Sequence, residues 1–154
     1  MISSYVCPNT KSPLFSHSSG GRGLVTENGV YYAYIEAGGG KDIPDFRSAQ
    51  VLGDSENYNL KIYDQSFSVE RYRNELNWLL ATFNETETLF RRRNVAKLKL
   101  HKGDHVLITA CGLGGDIQPI AEAVGPEGKV YVQDLAPEMV LEATRQTDLL
   151  MIAT

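Results

Sequence analysis

The sequence predicts an α/β fold with a small β-rich unit at its amino end. Three observations carry this reading. His105-Val106-Leu107-Ile108-Thr109-Ala110 is a short, apolar, β-branched run, as a buried parallel strand requires. Gly112, Gly114 and Gly115 follow at once, and Asp116 opens an amphipathic segment with Ile117, Ile120, Ala121 and Val124 on one face. After the break at Gly125-Pro126-Glu127-Gly128, Lys129 to Gln133 reads as a second strand with Asp134 at its carboxyl end. Strand, glycine loop, helix and strand make one βαβ unit, whose ligands sit at the strand ends.

The amino-terminal unit spans residues 1 to 46. Leu24-Val25-Thr26-Glu27-Asn28-Gly29-Val30-Tyr31-Tyr32 places an Asn-Gly pair between two β-rich runs, which predicts a hairpin with a type I′ turn. Val6, Leu14, Leu24, Val25, Tyr31, Tyr32 and Phe46 are its candidate core. Residues 16 to 23 and 37 to 42 are polar and glycine-rich and read as mobile loops. The second lacks the Gly-Lys-Ser/Thr ending and strand-to-helix setting of a phosphate cradle. Residues 47 to 65 are polar, weakly patterned and read as a linker.

Residues 66 to 154 form the larger unit. Ser68 is placed to cap a helix whose apolar stripe is Val69, Tyr72, Leu76, Leu79, Leu80 and Phe83, with Trp78 beside it at a possible interface. Asn84-Glu85-Thr86-Glu87 breaks that helix and caps another, with Leu89, Phe90, Val95 and Leu98 on its apolar side. Arg91-Arg92-Arg93 reads as a solvated helix face. Beyond Asp134, Pro137 suits a helix start, and Met139, Val140 and Ala143 would pack that helix on the sheet. Leu149 to Ala153 is a candidate third strand.

The glycine loop discriminates between ligands. A dinucleotide site asks for G-x-G-x-x-G, but Ile117 occupies the third glycine position. Asp116 puts negative charge where a pyrophosphate would bind. S-adenosylmethionine carries no phosphate, and its ribose wants an acidic acceptor after the second strand, where Asp134 stands.

Val106 to Asp116, together with Val130-Tyr131-Val132-Gln133-Asp134-Leu135-Ala136-Pro137-Glu138-Met139-Val140, resembles the first two motifs of class I S-adenosylmethionine-dependent methyltransferases, in the flavour of ubiquinone and menaquinone C-methyltransferases. The resemblance implies a Rossmann-like domain. It implies that Ala110, Cys111, Gly112, Leu113 and Gly114 line the cofactor loop, that Asp134 holds the ribose and that Leu135 touches the adenine. The family usually has an acidic residue at Ile108 and a glycine at Ala110. Tyr63-Asp64 is similar to a tyrosine-aspartate entry of many such enzymes, which makes Tyr63, Phe67 and Tyr72 candidates for the pocket wall; the plainer reading takes them as core aromatics of the covering helices. Cys7-Pro8-Asn9-Thr10-Lys11-Ser12-Pro13-Leu14 resembles the opening of a small zinc-ribbon-like domain, and Ile43-Pro44-Asp45-Phe46 its close. Structural zinc takes four ligands. Here Thr10 stands at the second knuckle position and no cysteine lies near residues 26 to 31, so no metal is expected.

Composition bounds the rest. The chain has 154 residues, 42% hydrophobic and 22% charged, with net charge −4. A nonspecific nucleic-acid or membrane surface is not indicated. No run approaches a transmembrane helix, and the amino terminus lacks the parts of a signal peptide. Cys7 and Cys111 read as reduced thiols in a cytoplasmic protein. Two strands and a possible third make a half-built parallel sheet with an open edge. The sequence therefore reads as the amino-terminal portion of a longer methyltransferase, catalytically incomplete alone, its aligning residues absent and its edge paired with a second copy. The other reading is a non-catalytic dimerising or partner-binding module derived from such an enzyme.

Overall fold

The computed structural model describes residues 2–17, 21–38, 42–49, 51–145 and 151–153, with the backbone alone for 2–4 and 151–153. The fold is mixed α/β. Five strands, β1 (Ile2–Val6), β2 (Pro13–His17), β3 (Gly23–Val25), β4 (Tyr31–Glu36) and β5 (Asp42–Pro44), form an antiparallel meander in sequence order. Three helices follow: α1 (Asp54–Tyr63), α2 (Ser68–Thr82) and α3 (Glu87–Lys97). Then come β6 (His105–Thr109), α4 (Ile117–Val124), β7 (Lys129–Gln133), α5 (Pro137–Arg145) and β8 (Met151–Ala153). The last three strands form a parallel sheet in the order β6-β7-β8.

Alternation along the meander decides its core. Leu14, Leu24, Tyr32, Cys7 and Phe46 are buried together. Val6 and Tyr31, expected inside, are exposed because each neighbours a buried residue and so points to the opposite side. The β3–β4 hairpin forms, with Val25 opposite Tyr31. Its turn differs from the expected type I′, which needs two left-handed residues. Of the Asn-Gly pair only Gly29 is left-handed, at φ 82°. The turn closes through Gly29 N–H to the Thr26 carbonyl at 3.0 Å, and Thr26 Oγ1 accepts from Val30 N–H at 2.9 Å. The loop expected at residues 16 to 23 is partly strand: Ser16 and His17 pair with Leu24 and Gly23. Ser18 to Gly20 and Gly39 to Lys41 lie outside the described residues, and Asp42 opens β5.

The knuckle sequence at Cys7 keeps its turn. Lys11 N–H donates to the Cys7 carbonyl and Cys7 N–H to the Ser12 carbonyl, both at 2.8 Å, with Lys11 left-handed at φ 60°. Tyr32 Oη lies 3.1 Å from Cys7 Sγ. Hydrogen bonds from Thr10, then Tyr32, lower the thiol to about 7. Among the described residues no group of three or more His, Cys, Asp or Glu could hold a metal ion.

Residues 47 to 65 hold a short 3-10 turn at Arg47–Ala49 and all of α1. No residue of α1 is fully buried, so it carries no apolar stripe to betray it in the sequence. Ser68 does not cap α2; it is the first helical residue, buried, and its Oγ donates to the Ile62 carbonyl at 2.7 Å. Leu80 is buried on α2, whereas Leu79 and Phe83 are exposed and Trp78 is 72% exposed, filling no described interface. Thr86 caps α3 as expected, accepting from Leu89 N–H at 3.4 Å. Val95 is buried, but Leu89 and Leu98 face solvent.

The Arg91-Arg92-Arg93 run is more than a solvated face. Arg91 binds Asp116 at 2.9 Å and Glu87 at 3.3 Å, Arg92 binds Glu122 at 3.1 Å, and Arg93 pairs with Glu85. Arg91 and Arg92 thereby staple α3 to α4.

Ile117, Ile120 and Val124 of α4 pack with Val130, Val132, Val140 and Ala143 in the main core, which Ile43 of β5 joins. Val106 and Ile108 of β6 lie against it. Leu107 points to the other side and is 59% exposed. A strand expected to be buried on both faces is thus half-solvated: among the described residues only the face carrying Val106 and Ile108 is covered. No described helix is long and apolar enough to cross a membrane.

Candidate functional site

The parallel strands end at a glycine loop whose conformation is unusual in three places. Ala110, Gly112 and Gly114 have φ of 52°, 53° and 82°. Glycine adopts this region freely, and alanine does so at a cost. Ala110, where the resemblance asks for glycine, is a left-handed alanine. Gly114 serves a second need: a Cβ there would stand 2.7 Å from Ile117 Cδ1 and 3.0 Å from Ala143 Cβ. The loop therefore lies hard against α4 and α5. Cys111 N–H donates to the Gln133 carbonyl at 3.0 Å, and Gly114 N–H to the Cys111 carbonyl at 2.9 Å.

Asp134 ties this loop to the next element. Its Oδ2 accepts from Gly112 N–H at 2.8 Å and its Oδ1 from Ala136 N–H at 3.0 Å. Each oxygen takes one backbone donor, and an ionised carboxylate can accept further hydrogen bonds at both. Asp134 and Gly112 line a cavity of about 670 Å³. Ala110, Gln133, Leu135, Ala136 and Met139 continue that wall. Tyr63 and Tyr72, from α1 and α2, line it as an edge-to-face ring pair at 6.3 Å. Pro8, Phe46 and Arg47 close it on the side of the antiparallel sheet.

The predicted residues thus separate. Ala110, Gly112, Asp134 and Leu135 meet around the cavity. Leu113 turns away, buried with Ala136 and Met139, and Gly114 is packed between helices. Cys111 presses against the main core. Burial, and then the Asp134 charge, push its thiol up to about 12, so it is a poor nucleophile. Phe67 is exposed under the Arg71 guanidinium and lines no described pocket. Ile108 packs against the apolar core, and no acidic side chain takes its place there. Asp116, weighed in the sequence as a repulsive charge at the helix start, is matched by Arg91.

Sequence reasoning missed Arg47, Phe46, Pro8 and Asn59. They reach the cavity through the packing of the antiparallel sheet and α1, which no local pattern announces. Ala136 and Met139 follow directly from Asp134 and could have been inferred from the turn into α5.

No protein-family model matches the chain. Over 78 residues, 51% of the chain, it is 37% identical to the demethylmenaquinone methyltransferases of Geobacillus kaustophilus (strain HTA426) and Geobacillus stearothermophilus. The chain is related in sequence to methyltransferases. The match spans 28% of the length of these relatives. Among solved structures, a chain from the complex of the Haloferax volcanii Trm112 methyltransferase activator aligns with 67% of this chain and 40% of its own length, at 17% identity and a TM-score of 0.35.

Proposed function

We propose that the chain is the cofactor-binding portion of an S-adenosylmethionine-dependent methyltransferase. In this reading residues 66–154 are the first part of a Rossmann-like domain, residues 1–46 a small zinc-ribbon-like unit without metal and residues 47–65 the connection between them. The supporting observation is Asp134: its carboxylate fixes the glycine loop and the start of α5 while facing the cavity with acceptor capacity to spare. A ribose offers two hydroxyl donors to such a group. The cavity has the size and mixed lining of a small-molecule site.

The residues fit the cofactor. Asp134 would hold the ribose, Leu135 and Met139 the adenine, and Ala110 and Gly112 the methionine end. Cys111, Leu113 and Gly114 would support the loop from behind. When bound, the cofactor supplies a methyl group on a sulfonium. The protein's part is to align an acceptor with it and exclude water. Tyr63 and Tyr72, whose rings line the cavity, would serve the second task. Their rings also pack against the buried Leu113, Ala136 and Met139 cluster, so they are core and wall at once.

Calorimetric titration of S-adenosylhomocysteine into the chain should show binding, lost in Asp134→Ala and weakened in Asp134→Asn, with melting curves showing both variants folded. No heat of binding to the unaltered chain would reject the reading. A second reading keeps the fold and drops the chemistry: a dimerising module derived from a methyltransferase. The exposed Leu107 on β6, which among the described residues pairs with β7 alone, favours it. Self-association without cofactor affinity would select it.

A further inference from the structure

The antiparallel sheet does not stand apart from the cavity. Arg47, just past β5, lines it. Its Nε and Nη2 bind the two carboxylate oxygens of Asp45 at 3.0 and 2.7 Å, and this two-pronged grip fixes the plane of the guanidinium. Nη1 is then left facing Asp64 Oδ2 at 3.8 Å. Asp64 is the residue that ends α1, directly after Tyr63. The Tyr63 ring meets Tyr72, and the Tyr72 hydroxyl stands 3.6 Å from where Gly112 would carry a Cβ. On the other flank of Tyr63, Ser68 Oγ and Arg71 Nη2 both donate to the Ile62 carbonyl, at 2.7 and 2.8 Å. A continuous path runs from the antiparallel sheet through Asp45, Arg47, Asp64, Tyr63 and Tyr72 to the glycine loop.

The charges on this path are partly buried, with Arg47 27%, Asp45 21% and Asp64 31% exposed, so water screens them less than it would a surface pair. Burial is the largest single influence on the Asp45 carboxyl and would raise it, but the Arg47 hydrogen bonds and charge together hold it below the usual carboxylate range. The Asp45 side-chain hydrogen bond likewise holds Arg47 up. Two carboxylates around one guanidinium leave a net negative charge. A ligand anion would not be drawn to Arg47, so its task is to position, not to bind.

Resting on the reading of this cavity as the cofactor site, we propose that Arg47 is a positioning residue: it latches the antiparallel sheet onto the Tyr63–Tyr72 ring pair and so sets the pair's distance from the glycine loop. The small sheet, with no metal-ligand cluster among its described residues, then has a use as a fixed wall of the site.

The test is titration of S-adenosylhomocysteine into the chain and into Arg47→Ala, Arg47→Lys, Asp64→Asn and the Arg47→Ala/Asp64→Asn double variant. Amide hydrogen exchange over residues 60–72 is followed without ligand. Arg47→Ala and Asp64→Asn should each weaken binding about fivefold or more, the scale of a modest coupling between distant groups. The double variant should be no weaker than either single, because both remove one interaction. Arg47→Lys should recover part of the loss, and exchange at residues 60–72 should quicken in Arg47→Ala with the melting temperature little changed. Full affinity in Arg47→Ala overturns the proposal, as does full affinity in Asp64→Asn when Arg47→Ala is weak, since Arg47 would then act on the ligand itself. If the unaltered chain binds no S-adenosylhomocysteine, the cofactor reading falls; unchanged exchange in Arg47→Ala separately removes the latch.

Discussion

At the scale of single residues, backbone conformation is the most informative quantity. Ala110 is left-handed at φ 52°. An alanine there costs about 1–2 kcal/mol, of which the extra chain entropy of glycine offsets about half. Ala110→Gly should therefore stabilise the chain by about 0.5–1 kcal/mol in urea unfolding. An unchanged or lower midpoint would mean that this φ is unstrained. Titration behaviour adds a second expectation. Burial pushes the Tyr5 and Tyr32 phenols and the Cys111 thiol up to about 12, from 10.0 and 9.0. The folded state then keeps protons that the unfolded chain releases, so these groups support folding fully below about pH 9 and progressively less as pH rises toward 12. Urea midpoints should fall between pH 9 and pH 11. Cys111 should resist iodoacetamide at pH 8 in the folded chain and react once it is unfolded. Rapid native alkylation would contradict the site geometry.

At the scale of elements, matched substitutions separate strain from packing. Gly29 and Gly114 share a φ of 82°. Nothing lies within 4 Å of a Cβ at Gly29, whereas one at Gly114 meets Ile117 and Ala143. Gly29→Ala should cost about 1 kcal/mol, conformational strain alone, and Gly114→Ala about 2–4 kcal/mol because overpacking is added. Equal costs would show that the glycine loop yields. The arginine run offers another pair. Arg91 joins α3 to the start of α4 through a part-buried contact with Asp116 and pairs with Glu87 within α3, while the Arg92 pair with Glu122 is exposed on both sides. Arg91→Ala should cost about 1–2 kcal/mol and Arg92→Ala about 0–0.5 kcal/mol in the same unfolding assay. These elements also show what the sequence discloses. The α4, β7 and α5 segments were legible because each buries one face: Ile117, Ile120 and Val124; Val130 and Val132; Met139, Val140 and Ala143. That imposes a period on the residues. Helix α1 was not legible because it buries no residue fully. Within the site, Gly112 and Asp134 were readable from a local glycine-then-acid spacing. Arg47 and Phe46 reach the cavity only through tertiary packing, and Leu113 reads as loop lining yet turns into a buried cluster.

At the scale of the whole molecule, the β6 side of the parallel sheet carries a prediction about self-association. Strand β6 pairs with β7 on one side, and in the order β6-β7-β8 its other side has no strand among the described residues. A free edge of this kind is a template for another chain. Its polar N–H and C=O groups are easily solvated, so the edge alone does not compel association. Leu107 adds the driving force: it is 59% exposed on the side facing away from α4 and pairs with Tyr131 of β7. Covering a leucine that is more than half exposed contributes about 1 kcal/mol per protomer, and a symmetric dimer joined at the two β6 edges would bring both copies of Leu107 side by side on one shared face. The exposed Trp78 on α2 and Phe83 just past its end supply a competing surface. Sedimentation can choose between them. If the β6 edge is the contact, the chain should show concentration-dependent dimerisation that Leu107→Lys abolishes and Trp78→Lys leaves intact. Leu107→Lys should unfold like the parent chain, because the residue is already largely in water. The reverse pattern would assign self-association to α2. A monomer at all concentrations would leave the β6 edge as a solvated one and remove the dimerising-module reading altogether.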